Sequence, residues 1–302
     1  MDKYIESACK LNIIGFPVTD RCNLSCPHCL GRMSTNMVNS PDMDQPTAEY
    51  LASKLSGQIK SINLSAGYGE TYLNESISKI LEAFRGCGLK TITYTNGSTA
   101  ARKGILNSYT DMLLISVDEY HSVCAPAIFN QQCSLINDIH ASGEQSLAGK
   151  IVLTCVLDSK SFNPDYIVNI RRLCEKHPFL SAEFHWKMEY VTTSIQHSCS
   201  NSIIDKYQKL FAELDNKKIA PPSFEHYRKN QCHDVFDSLY FDSCGNLRKC
   251  CIFPDTIYGL NIFKQSLQEI ISSPQLETAK KSWNAGKCYS FCKRCPIGYG
   301  VV

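Results

Sequence analysis

The chain contains no long apolar run: nothing in its 302 residues approaches the ~20 consecutive apolar residues of a membrane span. Its opening stretch, "MDKYIESACK", lacks the apolar core that a secretory signal needs. There is no block of Lys and Arg, and the formal net charge is only +2, so a phosphate backbone is not an expected partner. Internal repeats and low-complexity segments are also missing. A cytoplasmic protein with neither a membrane nor a nucleic-acid partner is expected.

What the chain has in quantity is cysteine, 17 in all. Its length and the missing signal exclude a small secreted disulfide scaffold. In a reducing compartment, clustered cysteines more often hold metal or carry redox chemistry. The scattered ones (Cys9, Cys87, Cys124, Cys133, Cys155, Cys174 and Cys199) are expected to be buried packing residues, because a free thiol behaves as a small hydrophobe. With 43% hydrophobic residues, the chain can bury a large core.

Strand-like runs alternate with helix-like segments through the first two thirds. The strands are "LNIIGFPVT", "SINLSA", "TITYTNG", "DMLLISVD", "IVLTCVL" and "SAEFHWKMEYV". Between them lie helical patterns in "TAEYLASKLSGQIK", "SISKILEAFRGCG", around 100–109, in one segment ending near "HASG", and in "PDYIVNIRRLCEKH". This order implies parallel βαβ units, and six of them predict an open, partial barrel. After residue 200 comes one helix, "NSIIDKYQKLFAELDNKK", then "IAPPS", whose paired prolines mark a linker. The tail reads as a hairpin turning near "CGN", with one or two helices in 264–284. The expected division is a barrel over 1–200, a helical linker over 201–227 and a small cysteine-rich domain over 228–302.

Directly after the first strand, "DRCNLSCPHCL" places Cys22, Cys26 and Cys29 at C-x3-C-x2-C spacing. A [4Fe–4S] cube takes four thiolates, so three leave one iron open to another ligand. A closed zinc site wants a fourth protein ligand nearby, and His28, between Cys26 and Cys29, is the local candidate. On this motif the chain resembles the radical S-adenosylmethionine (SAM) enzymes. The resemblance implies a [4Fe–4S] cluster whose open iron takes SAM, and release of a 5′-deoxyadenosyl radical that abstracts hydrogen from carbon. It also implies an external one-electron reductant of flavodoxin or ferredoxin type. "SAGYGE" after the second strand resembles the family's Gly-Gly-Glu loop, with Gly67 and Gly69 allowing close approach to the ligand and Glu70 facing the SAM ammonium group. Thr71 stands where many members have proline. Asn96 in "YTNG" and Ser116 and Asp118 in "ISVD" match the strand ends that contact SAM in this family. Read without the family, the same three residues are loop and helix caps.

The tail resembles the SPASM/twitch type of auxiliary-cluster module. Cys232, the Gly-x4-Cys of "GNLRKC" ending in Cys250, and the C-x2-C of Cys292 and Cys295 match its ligand pattern for a second [4Fe–4S] cluster. Zinc remains open for this four-cysteine set, and Cys244 or Cys288 are alternative ligands. Cys251 is then left over. Adjacent thiols do not form a favourable disulfide, since neighbouring Cα atoms lie about 3.8 Å apart. In an extended segment they point to opposite faces. Cys251 therefore reads either as a packed thiol or alternative ligand, or as a hydrogen-atom donor facing the substrate.

A closer resemblance is to radical SAM peptide epimerases, through "DEYH" at 118–121 and the Cys…Gly-x4-Cys-Cys tail, and to the aminoglycoside epimerases that use a donor thiol. Glu119, Tyr120 or His121 would face the substrate, or the segment is a polar cap before a helix. The implied activity is inversion of a carbon stereocentre in a ribosomal peptide or a sugar natural product. The alternative is a dehydrogenase or peptide cross-linking enzyme, in which the auxiliary cluster accepts the second electron.

Overall fold

The computed structural model describes residues 13–26, 29, 41–66, 69–141, 148–157, 162–186, 201–214, 218–221, 238–251 and 255–284. Its strands are β1 (Ile13–Gly15), β2 (Ser61–Asn63), β3 (Lys90–Thr95), β4 (Thr110–Ser116), β5 (Ala148–Leu157), β6 (Leu180–Trp186), β7 (Ile219–Ala220), β8 (Ser238–Tyr240), β9 (Asn246–Arg248) and β10 (Thr256–Asn261). Eight of them form one sheet in the order β7-β6-β5-β4-β3-β2-β1-β8, and every neighbouring pair is parallel. β9 and β10 form a separate antiparallel ribbon. The fold is an α/β partial barrel of the expected kind with a cysteine-rich C-terminal region.

The crossover helices are written in the sequence. α1 (Gln45–Leu55) starts where Asp44 accepts a hydrogen bond from Thr47 N, and buries Ala48, Leu51, Ala52 and Leu55. α2 (Ile77–Gly86) buries Ile77, Ile80, Leu81 and Phe84 with the same spacing. That spacing is one stripe of a 3.6-residue helix, and each large apolar side chain buried in it contributes about 1.5–3 kcal/mol. α3 (Thr99–Leu106) and α6 (Pro164–Lys176) follow the same rule.

The structure departs from the expected pattern in the fourth crossover, where two helices replace one: α4 (Glu119–Cys124) and α5 (Pro126–Ala141). A residue before proline is disfavoured in the helical region, and Ala125 sits at φ −137°, ψ 57°. α7 (Asn201–Leu214) precedes a second departure. Ile219 and Ala220, read as the start of a linker, form β7 and pair with Ala182 and Glu183 of β6, which buries Ile219. The tail helices are α8 (Leu267–Ile271) and α9 (Pro274–Asn284). Among the described residues no helix is long and apolar enough to cross a membrane.

The parallel register assigns the two faces of the sheet, because paired residues point the same way. Ile14, Ile62, Leu113, Ile115, Ile151, Leu153 and Phe184 lie on the helix-covered side and are buried. The opposite face carries Asn63, Tyr94, Ser116, Thr154, Glu183, His185 and Tyr240, all partly or fully exposed. The same face also carries Leu114 and Val152, which are buried, so it mixes exposed polar residues with an apolar patch. Tyr240 of β8 lies over Gly15 of β1, where any Cβ would collide with its ring.

Candidate active site at the strand ends

Cys22, Cys26 and Cys29 lie in the loop that leaves the C-terminal end of β1, and none is in a disulfide. Its described residues are tied down at several points. Thr19 Oγ1 donates to Asp42 Oδ1 at 2.6 Å, and Arg21 forms an ion pair with Asp42. Arg21 Nη2 also donates to Leu73 O at 2.8 Å, and Asn23 Nδ2 donates to Ser98 Oγ at 2.9 Å. Burial, and then the charge of Asp118 and of the neighbouring cysteines, pushes the Cys26 thiol up to about 11. Burial likewise raises Cys22.

This donor set fits an iron–sulfur cluster: three thiols share one loop, and bound cationic iron would stabilise them as thiolates. His28, the local candidate for a fourth zinc ligand, lies outside the described residues.

Gly67 lies outside the described residues. Gly69 packs directly on the cysteine loop: a Cβ there would overlap the Thr19 carbonyl and lie 2.8 Å from Arg21 O. Glu70 N donates to that same Arg21 O at 2.7 Å. The Glu70 carboxylate is 3% exposed and engaged within the chain. Its Oε1 accepts from Thr95 Oγ1 at 2.9 Å and from Tyr72 N at 3.2 Å. Its Oε2 accepts from Asn96 N at 2.6 Å. Burial outweighs these donors and raises the carboxyl to about 7. Glu70 therefore braces the ends of β2 and β3 against the cysteine loop.

Asn96 meets the same loop. Its Nδ2 donates to Asn23 Oδ1 at 3.0 Å and lies 3.9 Å from Cys22 Sγ. Ser116 Oγ donates to Asp118 Oδ1 at 3.2 Å. Asp118, Glu119 and His121 are all buried, and His121 Nε2 sits 3.4 Å from Cys26 Sγ. The structure thus brings Gly69, Glu70, Asn96, Ser116 and Asp118 to the strand ends that surround the cysteine loop.

Sequence reasoning missed Gln132. Its buried Nε2 donates to Asn96 O at 2.9 Å and to Ser116 O at 2.7 Å, tying the ends of β3 and β4 together. The available signal was a polar residue in the buried stripe Gln132, Leu135, Ile136 and Ile139.

In the tail, the turn expected near "CGN" is present: Gly245 takes φ +80° and its N–H donates to Asp242 O at 2.9 Å. Cys250 and Cys251 follow β9 in a bend, so the alternation of an extended strand does not govern them. Both are half-buried and line one pocket with Tyr240, Arg248, Leu276 and Lys280. Cys244 is exposed. Cys232, Cys288, Cys292 and Cys295 lie outside the described residues. Of the scattered cysteines, Cys155 and Cys174 are buried as expected, and Cys87 and Cys133 are half-buried. Cys124 is exposed, because it ends α4 just before the break at Pro126.

The tail reaches back to the first site through Arg248. This residue is buried, and its Nη1 donates to Ala66 O at 2.7 Å, beside the G-x-G-E loop. Ser243 Oγ donates to Asp20 Oδ2 at 3.2 Å, two residues before Cys22. Burial raises the Asp20 carboxyl, while the Ser243 hydrogen bond and the Arg248 charge oppose the rise.

A partial barrel with C-x3-C-x2-C in the loop after β1, and a tail tied to it through Arg248 and Ser243, is similar to the radical SAM proteins that carry an auxiliary-cluster module. No family model matches the chain. Among curated proteins it is similar to AlbA of Bacillus subtilis (strain 168), an antilisterial bacteriocin subtilosin biosynthesis protein. The two are 24% identical over 300 residues, which is 89% of this chain and 61% of AlbA, so the chain spans less than two thirds of that relative. Among solved structures it is similar to Streptococcus suis SuiB bound to S-adenosylmethionine, with a TM-score of 0.68 and 14% identity, covering 97% of this chain and 73% of that one. It is also similar to anSMEcpe with bound AdoMet, with a TM-score of 0.59 and 14% identity, covering 95% and 88% of the two chains.

Proposed function

We propose that the chain is a radical SAM epimerase acting on a ribosomally made peptide or a related natural product. The observation that carries this reading is the half-buried Cys251 thiol, which lines a pocket with Tyr240, a residue of the sheet face opposite the helices. Cys22, Cys26 and Cys29 hold the first [4Fe–4S] cluster, and Gly67, Gly69, Glu70, Asn96, Ser116 and Asp118 surround SAM, with Glu70 acting through the loop it braces. Cys232, Cys250, Cys292 and Cys295 hold the auxiliary cluster. When bound, the first cluster and SAM supply a 5′-deoxyadenosyl radical that removes a hydrogen atom from a substrate carbon.

The Cys251 S–H bond then breaks homolytically and its hydrogen adds to the opposite face of the carbon, which inverts the centre. The thiyl radical left on Cys251 is restored by one electron, from a flavodoxin- or ferredoxin-type reductant, and one proton. SAM is consumed once per turnover. A peptide substrate is supported by the subtilosin pathway of AlbA and by the structure of SuiB bound to precursor peptide SuiA, to which this chain is similar with a TM-score of 0.65. The near-neutral charge supports a setting without nucleic acid, and we place the enzyme in the cytoplasm, where its reductant is found.

A second reading is favoured by the bend at 249–251, which brings both cysteines to one pocket. If both serve the auxiliary site, the enzyme is a dehydrogenase or peptide cross-linker with the auxiliary cluster as electron acceptor. Turnover in D2O separates the two. Epimerisation adds one mass unit to an unchanged skeleton, whereas dehydrogenation or cross-linking removes two. The Cys251→Ala variant is expected to form 5′-deoxyadenosine but no inverted product, and unimpaired inversion by it refutes the donor assignment.

A further inference from the structure

His121 and Cys26 are 95 positions apart in the chain, yet His121 Nε2 lies 3.4 Å from Cys26 Sγ. The imidazole is buried, and its Nδ1 faces Asp118 Oδ2 at 4.0 Å. Asp118 is fixed in turn by the hydroxyl of Ser116 and by the backbone of α4, where His121 N donates to Asp118 O at 3.0 Å. A ligating cysteine is a thiolate and can only accept, so the proton on this pair must sit on Nε2. Of the three motif cysteines, Cys26 alone has such a buried side-chain N–H within about 3.5 Å among the described residues; Asn96 Nδ2 stands 3.9 Å from Cys22.

We infer that His121 is a positioning residue for the first cluster: its Nε2–H donates to the Cys26 thiolate and raises the cluster's reduction potential. The inference rests on the cluster reading above. Hydrogen bonds to ligand sulfur withdraw electron density and stabilise the reduced state, and outer partners of metal ligands tune both potential and affinity. The consequence for function is a cluster that a modest one-electron reductant can reach, at some loss of driving force for SAM cleavage. This gives His121 a role in the "DEYH" segment that requires no contact with substrate.

The test is an EPR-monitored redox titration of the anaerobically reconstituted protein, following the signal that changes when SAM is added. His121→Phe is expected to keep its iron and sulfide content and to shift the midpoint of that signal to more negative potential. His121→Gln, which retains an N–H donor, is expected to move it back towards the original value. An unchanged midpoint in His121→Phe overturns the inference. If that variant does not hold the cluster, equal midpoints in His121→Gln and His121→Ala overturn it equally. Failure of the unaltered protein to take up iron and sulfide at this site would instead refute the cluster reading itself.

Discussion

The two cysteine-bearing segments of the described chain are held in different ways. The loop carrying Cys22, Cys26 and Cys29 is strapped from several sides, by Asp42, Arg21, Ser98, Asn96 and the backbone of Glu70. The segment carrying Cys250 and Cys251 is a bend at the end of a short hairpin, which turns at Gly245 and is closed across the bend by Lys249 N donating to Asp255 O at 2.8 Å. The first arrangement places sulfur to the tolerance of the sheet, as a site that must orient a ligand requires. The second places the two thiols through contacts within the hairpin and its neighbouring strand. Between them run two ties, Arg248 to Ala66 and Ser243 to Asp20, so the hairpin is anchored on the two loops that build the first site.

The largest effect is expected from breaking the first segment at Gly69. An added Cβ has no room against the Thr19 carbonyl, and the neighbour is backbone, which cannot swing away. Gly69→Ala is expected to cost about 1–3 kcal/mol in urea unfolding. It should also lower iron at the first site and reduce SAM-dependent 5′-deoxyadenosine formation by tenfold or more. Normal iron content and activity in that variant would show that the strapping is not needed. A smaller effect is expected from Arg248→Met, which removes the buried donor from Ala66 O and the cation near Asp20. A hydrogen bond made by a charged group is worth about 1.5–3 kcal/mol, and SAM affinity should weaken several-fold in equilibrium dialysis. Unchanged affinity would mean that the hairpin and the first site are independent.

The same contrast explains what the sequence made legible. Six strand–helix units could be read because each helix repeats its apolar stripe, as in Ile77, Ile80, Leu81 and Phe84, and each strand buries one face. The C-x3-C-x2-C motif could be read because its meaning is local. β7 could not, since two residues are too short to show a period, and β8, read as one arm of the tail hairpin, gave no sign of its place beside β1. Their pairing is decided by distant partners, Ala182 for Ile219 and Gly15 for Tyr240. The break at Ala125 was readable from Pro126 alone. Long-range polar contacts were not: nothing near Arg248 announces Ala66, and nothing near His121 announces Cys26. The expectation of opposite faces for Cys250 and Cys251 depended on an extended backbone, and the bend there removes that premise.

The smallest effect concerns the outer tie. Ser243 Oγ donates to Asp20 Oδ2 at 3.2 Å across a half-buried boundary, and Arg248 acts on the same carboxylate through its charge. Ser243→Ala alone should therefore cost only about 1 kcal/mol, the usual net value of one hydrogen bond. Its use lies in combination with Arg248→Met. Two ties that act on one half-buried carboxylate are not additive, because losing the first changes what the second has to offset. A double-mutant cycle in urea is expected to give a coupling energy of about 0.5 kcal/mol or more. With both ties gone, burial and the charges of Asp242 and Asp42 act on Asp20 unopposed and push its carboxyl further up, so the double variant should favour a protonated Asp20 that no longer needs either partner. Strict additivity would separate the two contacts, leaving the hairpin anchored to each loop by an independent bond and the Asp20 carboxylate as a bystander.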